Sequence, residues 1–404
     1  MSGGSDRYDV IIAGGGVAGA AAAVAAARGG ARTLLVEREP ALGGLCAKAM
    51  LREVCGLYRN GADTPPSGAE DTLNPGLQRE VAGLLMKAGS PGPRKIGRVY
   101  VLPFEPGVMT DVLSTLVKGE AGLTLKGFSR IISARAEGGS ITSVEIEGMG
   151  AVEAGAFVDA TGNAELALMA GAATEMASKD AMQLAGYTVR LTAIAPGNDR
   201  LNLEVPYYLR QAADNGAVPD SFRYTQFSCG DNAGEGFVKF SVAPGEGAPE
   251  AAFVGFGAES SIDRTARAAL EYLVAHIPAL EDAEIAGTSE GAAQRDGRRA
   301  IGEYMLTADD IRASRHFEDE VCVGAWPMEL WEQKRGPVYE YPSDDAGYGV
   351  PEGCLRARGL SNLFLAGRSL SATREAMGSL RVMGACVATG EQAGIMSAAA
   401  SCSG

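Results

Sequence analysis

The sequence contains no C-x-x-C pair, and its seven cysteines are an odd number. Both facts argue against a disulfide scaffold, an iron–sulfur cluster and a structural zinc site, so no metal is expected. Positive charge is also short. Lys and Arg number 36 against 50 Asp and Glu, for a net charge of -14. A basic nucleic-acid footprint is therefore missing, and the acidic surface mainly favours solubility. No run of 18 apolar residues is free of Gly and charge, so no membrane span is expected. The opening Met1-Ser-Gly-Gly-Ser-Asp6 has no basic n-region, and three glycines break the apolar run after it, which does not fit a signal peptide. A reducing cytoplasm is the simplest setting. Only two histidines occur. His276 ends a helical pattern just before Pro278, where a cation suits the dipole and a structural role. His316 lies in a charged stretch and reads as solvated.

What is present is small and apolar. The chain has 404 residues, 46% of them hydrophobic, with 55 glycines. That length suggests two domains, or one with a large insertion. The most informative stretch runs from Tyr8 to Glu37. Val10 to Ala13 suits a buried strand, Val17 to Ala27 a helix with almost no bulk, and Thr33 to Val36 a second buried strand. Gly29-Gly30 ends the helix.

Gly14, Gly16 and Gly19 fall in the G-x-G-x-x-G spacing. Gly14 allows the tight strand-to-helix turn. Gly16 has no Cβ, so a pyrophosphate can approach the backbone, and Gly19 lets the helix pack against the sheet. The helix N-terminus offers free N–H groups and partial positive charge to the phosphates. Glu37 stands 18 residues past Gly19, where its carboxylate can accept from adenosine ribose hydroxyls and would repel a 2′-phosphate. This argues against NADP and is compatible with both FAD and NAD.

Gly43-Gly44 lies where the far end of a dinucleotide would pass. Cys46 and Cys55 are nine residues apart. On one helix that is about 13.5 Å and opposite faces, against the roughly 7 Å limit between disulfide Cα atoms. They read as two separate thiols, with Cys55 and Tyr58 as candidates for a pocket wall. Residues 61–76 form a polar loop, either a lid or a disordered stretch. Helices are expected at Leu77–Ala88 and Pro106–Lys118, and strands at Arg98–Phe104, Leu123–Lys126, Arg130–Ala134, Ile141–Ile146 and Ala151–Val158. The last strand runs into Ala160-Thr161-Gly162, a turn beside the cofactor or an ordinary helix cap. Met182–Ile194 and Gly236–Val242 read as strands and Ser260–His276 as a helix. The Arg295, Arg298 and Arg299 cluster reads equally as an anion site and as surface salt bridging. Tyr304–Arg312 continues into helix. A final buried strand at Leu363 ends in Gly367-Arg368, and a tightly packed helix begins at Gly384. In a flavoprotein that second helix N-terminus would face the pyrimidine edge of the flavin.

Four segments agree with one pattern: Gly14 to Glu37, Gly43-Gly44, Phe157 to Gly171 and Asn362 to Gly394. Together they resemble the FAD-dependent oxidoreductases of the glutathione-reductase-like superfamily with two dinucleotide-binding domains. The match is closest to a broad bacterial group of FAD-dependent oxidoreductases. Arg298-Arg299-Ala-Ile-Gly-Glu-Tyr-Met-Leu-Thr307 resembles a further stretch of that group. Three departures stand out. Arg374 replaces the group's usual His, a fixed cation for a titrating base. Asn163 replaces the usual acid, and Leu45-Cys46-Ala47 the usual small residue and Thr. Gly367-Arg368 stands where aromatic hydroxylases carry Gly-Asp, which weakens a hydroxylase reading.

The resemblance implies an α/β fold: a Rossmann-like FAD-binding domain of glutathione-reductase type with an inserted mixed α+β substrate domain. Residues 1–176 would form its first part, with a strand insertion at 98–158. Residues 177–291 would form the substrate domain and 292–404 the C-terminal part. FAD would be held by Gly14, Gly16, Val17, Ala18, Gly19, Glu37, Arg38, Gly44, Leu45, Cys46, Ile131, Ala160, Thr161, Gly162, Gly367, Arg368, Arg381 and Gly384. The implied activity is hydride transfer between a small organic substrate and flavin N5. Arg374 would orient an anionic or carbonyl-bearing substrate, with Cys55, Tyr58 and Arg295 in the pocket wall. The alternatives are a monooxygenase or C=C reductase acting on a lipid or polyketide-like molecule, an electron-transfer or redox-sensing subunit, and thiol–disulfide exchange through Cys46 and Cys55. The electron partner, NAD(P)H or another protein, and the oligomeric state stay open.

Overall fold

The computed structural model describes residues 7–61, 64–197, 199–244 and 260–402. The opening segment and residues 62–63 of the polar loop lie outside them. Strand β1 (Tyr8–Ala13) is buried at five of its six positions. Its parallel neighbours are β2 (Thr33–Val36) and the C-terminal half of Gly150–Asp159, and Leu363–Leu365 runs parallel beyond that. Leu123–Lys126 closes the other side in parallel with β2. Parallel strands are covered on both faces and so need nearly continuous apolar runs. Val10-Ile11-Ile12-Ala13 and Leu34-Leu35-Val36 supply them. Ile131–Glu137, Ser140–Ile146 and the start of Gly150–Asp159 extend the sheet as an antiparallel meander. The fold is thus mixed α/β around a parallel-rich, seven-stranded sheet.

Helix α1 (Val17–Arg28) is buried from Val17 to Ala26. The C-terminal helix, Met383–Ser401, lies against it. The approach leaves no room for side chains. A Cβ at Gly390 would stand 2.2 Å from the Ala18 carbonyl oxygen, and one at Gly394 2.2 Å from that of Ala22. This explains why both helices are built of Ala and Gly: each buries both faces with little bulk.

A second hydrophobic cluster is separate from the first. It sits on a four-stranded antiparallel sheet in the order Gln226–Cys229, Gly236–Val242, Ala185–Thr192, Glu284–Thr288. Tyr187, Val189, Leu191, Val238, Phe240 and Val242 point one way, into the core made with helices Leu201–Asp214 and Ser261–His276. By the period-2 rule, Gly186, Thr188, Phe237 and Lys239 point the other way. In the register of that pair Thr188 faces Lys239. A hairpin, Met328–Glu332 with Gly336–Glu340, meets this sheet at the start of its inner strand Ala185–Thr192, where the Leu184 N–H donates to the Trp331 carbonyl at 2.8 Å.

Two local expectations differ from the structure. From residue 64 onward the polar loop is pinned rather than lid-like. The Leu73 N–H donates to the Leu57 carbonyl at 2.7 Å, and Asn74 exchanges side-chain hydrogen bonds with the Val323 backbone at 2.8 and 2.9 Å. The helix expected over Tyr304–Arg312 forms only at Ala308–Arg312. Thr307 caps it in extended conformation and shares a capping box with Asp310, so the helix cannot begin earlier.

Candidate active site

The glycine turn after β1 opens into a cavity of about 320 Å³, within the range of small-molecule sites. At one end stands Glu37, buried at the tip of β2. Its carboxylate accepts from the N–H groups of Gly15 and Glu39, the latter at 2.8 Å. Those bonds fix the carboxylate while it still lines the cavity. Arg38 and Ile131 line the same end, with Ser129 and Arg130, which the sequence reading did not single out.

The middle of the cavity is backbone. Gly14, at φ +94°, takes a conformation that favours glycine, and a Cβ there would meet the Ala160 carbonyl oxygen at 2.7 Å. Gly16 is different. Its φ of -64° suits any residue, and a Cβ there meets nothing within 4 Å. Its bareness therefore matches space that something else fills. Val17, Ala18, Gly44, Leu45, Cys46, Ala160, Thr161, Gly162, Gly367 and Arg368 continue the lining. Gly19 does not. Its Cβ would stand 1.8 Å from the Gly14 carbonyl oxygen, so it serves helix-to-strand packing. Gly384 also lies outside the lining and packs against the Cys55-Gly56 backbone.

The Ala160-Thr161-Gly162 turn is anchored by Asp159, a residue not singled out beforehand. This fully buried carboxylate accepts from the Thr161 N–H at 3.0 Å and hydroxyl at 2.7 Å, the Ala167 N–H at 2.9 Å and the Ser369 hydroxyl at 3.0 Å. Thr161 in turn accepts from the Glu165 N–H at 3.0 Å, at the first residue of the following short helix, whose N-cap is Ala164. The turn thus steadies the start of a helix and lines the cavity.

At the other end lie Arg368, Arg381, Arg295 and Lys239. Arg368 donates to the Gln294 carbonyl at 2.7 Å, and burial holds its pKa below the usual value. Arg381 precedes the C-terminal helix and donates to the Glu329 carbonyl at 3.0 Å, while its Nε is buried with no partner. Arg295 stacks on Trp331, 4.1 Å from the ring centroid. Burial, then Arg381, pulls its pKa down to about 9. Lys239 has its pKa pulled to about 8 by burial, with Arg295 adding to the effect. Lys239 was missed because no motif marks it; only its alternation within Gly236–Val242 could have shown its face.

The remaining candidates fall outside the lining. Arg374 faces Asp296, with Nε 3.5 Å from the carboxylate, and Asp296 is also held by Gln183. Tyr58 is buried, and its hydroxyl has no hydrogen-bond partner; burial raises its pKa. Cys55 lies behind the lining beside Val382 and Trp326. The arginine cluster divides. Arg295 reaches the cavity, while Arg299 is buried between the Ala372 carbonyl at 2.9 Å and Glu175 at 3.4 Å. Neither histidine lines the cavity: His276 stacks on Tyr272 at 4.1 Å, and His316 pairs with Glu320 at 2.9 Å.

Burial pushes the Cys46 thiol up to about 12 and the Cys55 thiol well above its ordinary value, so both are poor nucleophiles at neutral pH. Native protein treated with iodoacetamide at pH 8 should be alkylated at the exposed Cys229 and Cys402. Cys46 and Cys55 should stay unlabelled in the peptide map. Labelling of either would revive thiol exchange.

A β-strand, glycine turn, alanine helix and terminal acid, facing a cationic pocket, define an α/β protein of the dinucleotide-binding class. Residues 9–404 match the family described as FAD dependent oxidoreductase. The chain belongs to this family and is an FAD-dependent oxidoreductase. No curated protein matches it. Among solved structures it is similar to the flavin-dependent brominase Bmp2, with TM-score 0.51 and 11% identity over 98% of this chain and 79% of that one. It is also similar to L-proline dehydrogenase from P. horikoshii, with TM-score 0.46 and 12% identity over 96% and 93%. A third is a geranylgeranyl bacteriochlorophyll reductase-like protein from Thermoplasma acidophilum, with TM-score 0.44 and 14% identity over 98% and 78%. At 11% identity the likeness to the brominase speaks for the fold alone. Among the described residues no helix is long and apolar enough to cross a membrane, and no cluster of His, Cys, Asp and Glu could hold a metal. The cavity residues fit FAD: Gly16 is open where a diphosphate needs bare backbone, and the unpartnered Arg381 Nε lies at the opposite end.

Proposed function

We propose that the protein moves a hydride between a small organic substrate and FAD lying along this cavity in the manner of the glutathione-reductase-like flavoproteins. The observation that carries the proposal is continuity: one cavity runs from Glu37, past the bare Gly16, to the cationic wall of the second sheet. FAD supplies a hydride acceptor or donor at N5. Glu37 is placed to accept the ribose hydroxyls. The α1 N-terminus and Gly16 offer N–H groups to the diphosphate. Arg381 and the N-terminus of Met383–Ser401 would hold negative charge at the pyrimidine edge. Leu51, Met169 and Met383 supply apolar lining that excludes water.

In this reading residues 1–176 and 292–404 carry the cofactor, and residues 177–291 cover the substrate. Arg374 is a positioning residue acting through Asp296. The test is the visible spectrum of anaerobic, purified protein on adding NADH, NADPH and pooled organic metabolites. The expected result is a flavin band bleached by an organic pool. Bleaching by a nicotinamide alone would move the assignment to the reductase or monooxygenase alternatives. Absence of bound flavin even after FAD is added would overturn the site.

A further inference from the structure

One charged side chain on the cavity wall stands alone. The Lys239 ammonium has neither a hydrogen-bond nor an ion-pair partner among the described residues, yet it lines the cavity. A second cation lies beside it. A Cβ at Gly186 would meet Lys239 Cε at 3.3 Å and Arg295 Nη2 at 3.4 Å. Both cations therefore pack over that bare strand position. Arg295 donates through Nη1 to the Leu184 carbonyl and lies over Trp331, and the same ring is 5.6 Å from the Lys239 ammonium.

The nearby carboxylate does not cap either of them. Glu329 is half-buried, and its two oxygens accept the indole N–H groups of Trp326 at 3.1 Å and Trp331 at 2.5 Å. These are the only two tryptophans in the chain. Lys239, Arg295 and Arg381 share one electrostatic neighbourhood with Glu329; Asp296 also acts on Arg295 but is ion-paired to Arg374, so three positive charges face one negative not paired outside the group. Arg381 lies with the helix that serves the cofactor. Lys239 and Arg295 come from segments outside the seven-stranded sheet. After Glu329 offsets one charge and the cofactor engages Arg381, one positive charge is left for the substrate. Two like charges packed over one strand position repel one another, and an anion between them relieves both.

We propose that Lys239 and Arg295 form a carboxylate-recognition subsite, and that the substrate is an organic acid bound as its monoanion. The proposal rests on the reading of this cavity as the redox site. The ammonium supplies a point charge, and the guanidinium edge left free by Leu184 supplies directed N–H groups. Gly186 keeps the strand surface bare so that the carboxylate can reach both. Burial already depresses the proton affinity of both cations, and a bound anion restores it.

The test uses the FAD-loaded protein and redox-inert probes: acetate, benzoate and octanoate, each paired with its primary amide. Binding is read from the perturbation of the flavin absorption band, so turnover is not required. At least one acid should give a saturable change at a concentration at least about 10-fold below its amide, a difference of about 1.4 kcal/mol. Lys239→Met should weaken that acid at least 10-fold and leave the amide response unchanged. Lys239→Gln serves as a second variant, and retained FAD with an unchanged melting temperature reports intact folding. The proposal is overturned if no acid binds, if acid and amide bind alike, or if both variants keep the parent affinity. It is also overturned if the variants lose FAD while binding carboxylate normally, since the lysine would then serve the cofactor. Carboxylate binding at Lys239 without bleaching by any organic acid would leave this subsite standing and sink the hydride-transfer reading instead.

Discussion

Gly16→Val should give a folded protein that no longer retains FAD. The two halves of this expectation have separate physical causes. Gly16 holds φ near -64° and ψ near 180°, a conformation open to valine. Apart from its own chain neighbours, no heavy atom of the described residues lies within 4 Å of its added Cβ. The apo protein should therefore melt within about 1 kcal/mol of the parent apo protein. The valine methyl groups instead project into the space beside the α1 N-terminus, where the diphosphate must touch backbone N–H groups. Loss of those bonds and a steric block should weaken FAD by about 100-fold or more. Gly19→Ala is the contrasting variant. Its Cβ would stand 1.8 Å from the Gly14 carbonyl oxygen, so it should lose about 3 kcal/mol or more of apo stability through overpacking. The measurements are the absorbance of purified protein, FAD titration of apoprotein and thermal melts of both apo variants. Stoichiometric FAD in Gly16→Val would remove the diphosphate from this turn.

The contrast between these two glycines shows what the sequence could and could not reveal. Their spacing set the packed Gly19 apart from the open Gly16 in advance, because a strand, a turn and a helix are local. The inner parallel strands β1 and β2 were legible for the same reason: each announces itself by a short apolar run. The substrate wall was not legible. Thr188 and Lys239 share a face only because Ala185–Thr192 and Gly236–Val242 pair in one register, and register is not encoded in either strand alone. Arg374 looked free for substrate because its partner, Asp296, lies 78 positions earlier in the chain and meets it through the tertiary fold. The polar loop carried every local sign of mobility. Its order comes from Asn74, which binds a strand 249 residues away.

Glu329→Gln is expected to have a large effect on stability. Burial alone would raise the pKa of this carboxyl. The Arg381 charge, the Trp331 indole N–H, Lys239 and Arg295 outweigh burial and hold it below the ordinary carboxylate range. A carboxyl depressed in the fold stabilises above its unfolded pKa, and that stabilisation is lost as pH falls through the folded value. The parent should therefore keep the contribution at neutral pH and lose it only below the ordinary range. The neutral amide removes it throughout and leaves the buried Arg295 and the half-buried Lys239 and Arg381 without their counter-charge, a loss of up to about 3 kcal/mol. Plotted against pH, the two melting curves should stay apart through neutrality and converge in acid. Equal melting at pH 7 would show that Glu329 carries no charge in the fold. Adding Lys239→Met to Glu329→Gln should recover part of the loss, because it removes one of the stranded cations. The two single variants should also move carboxylate binding in opposite directions. Lys239→Met subtracts a positive charge from the wall and weakens the acid. Glu329→Gln, where it still folds, subtracts a negative one and tightens it. A purely structural ion cluster would change stability in both variants and leave the acid-to-amide ratio unmoved.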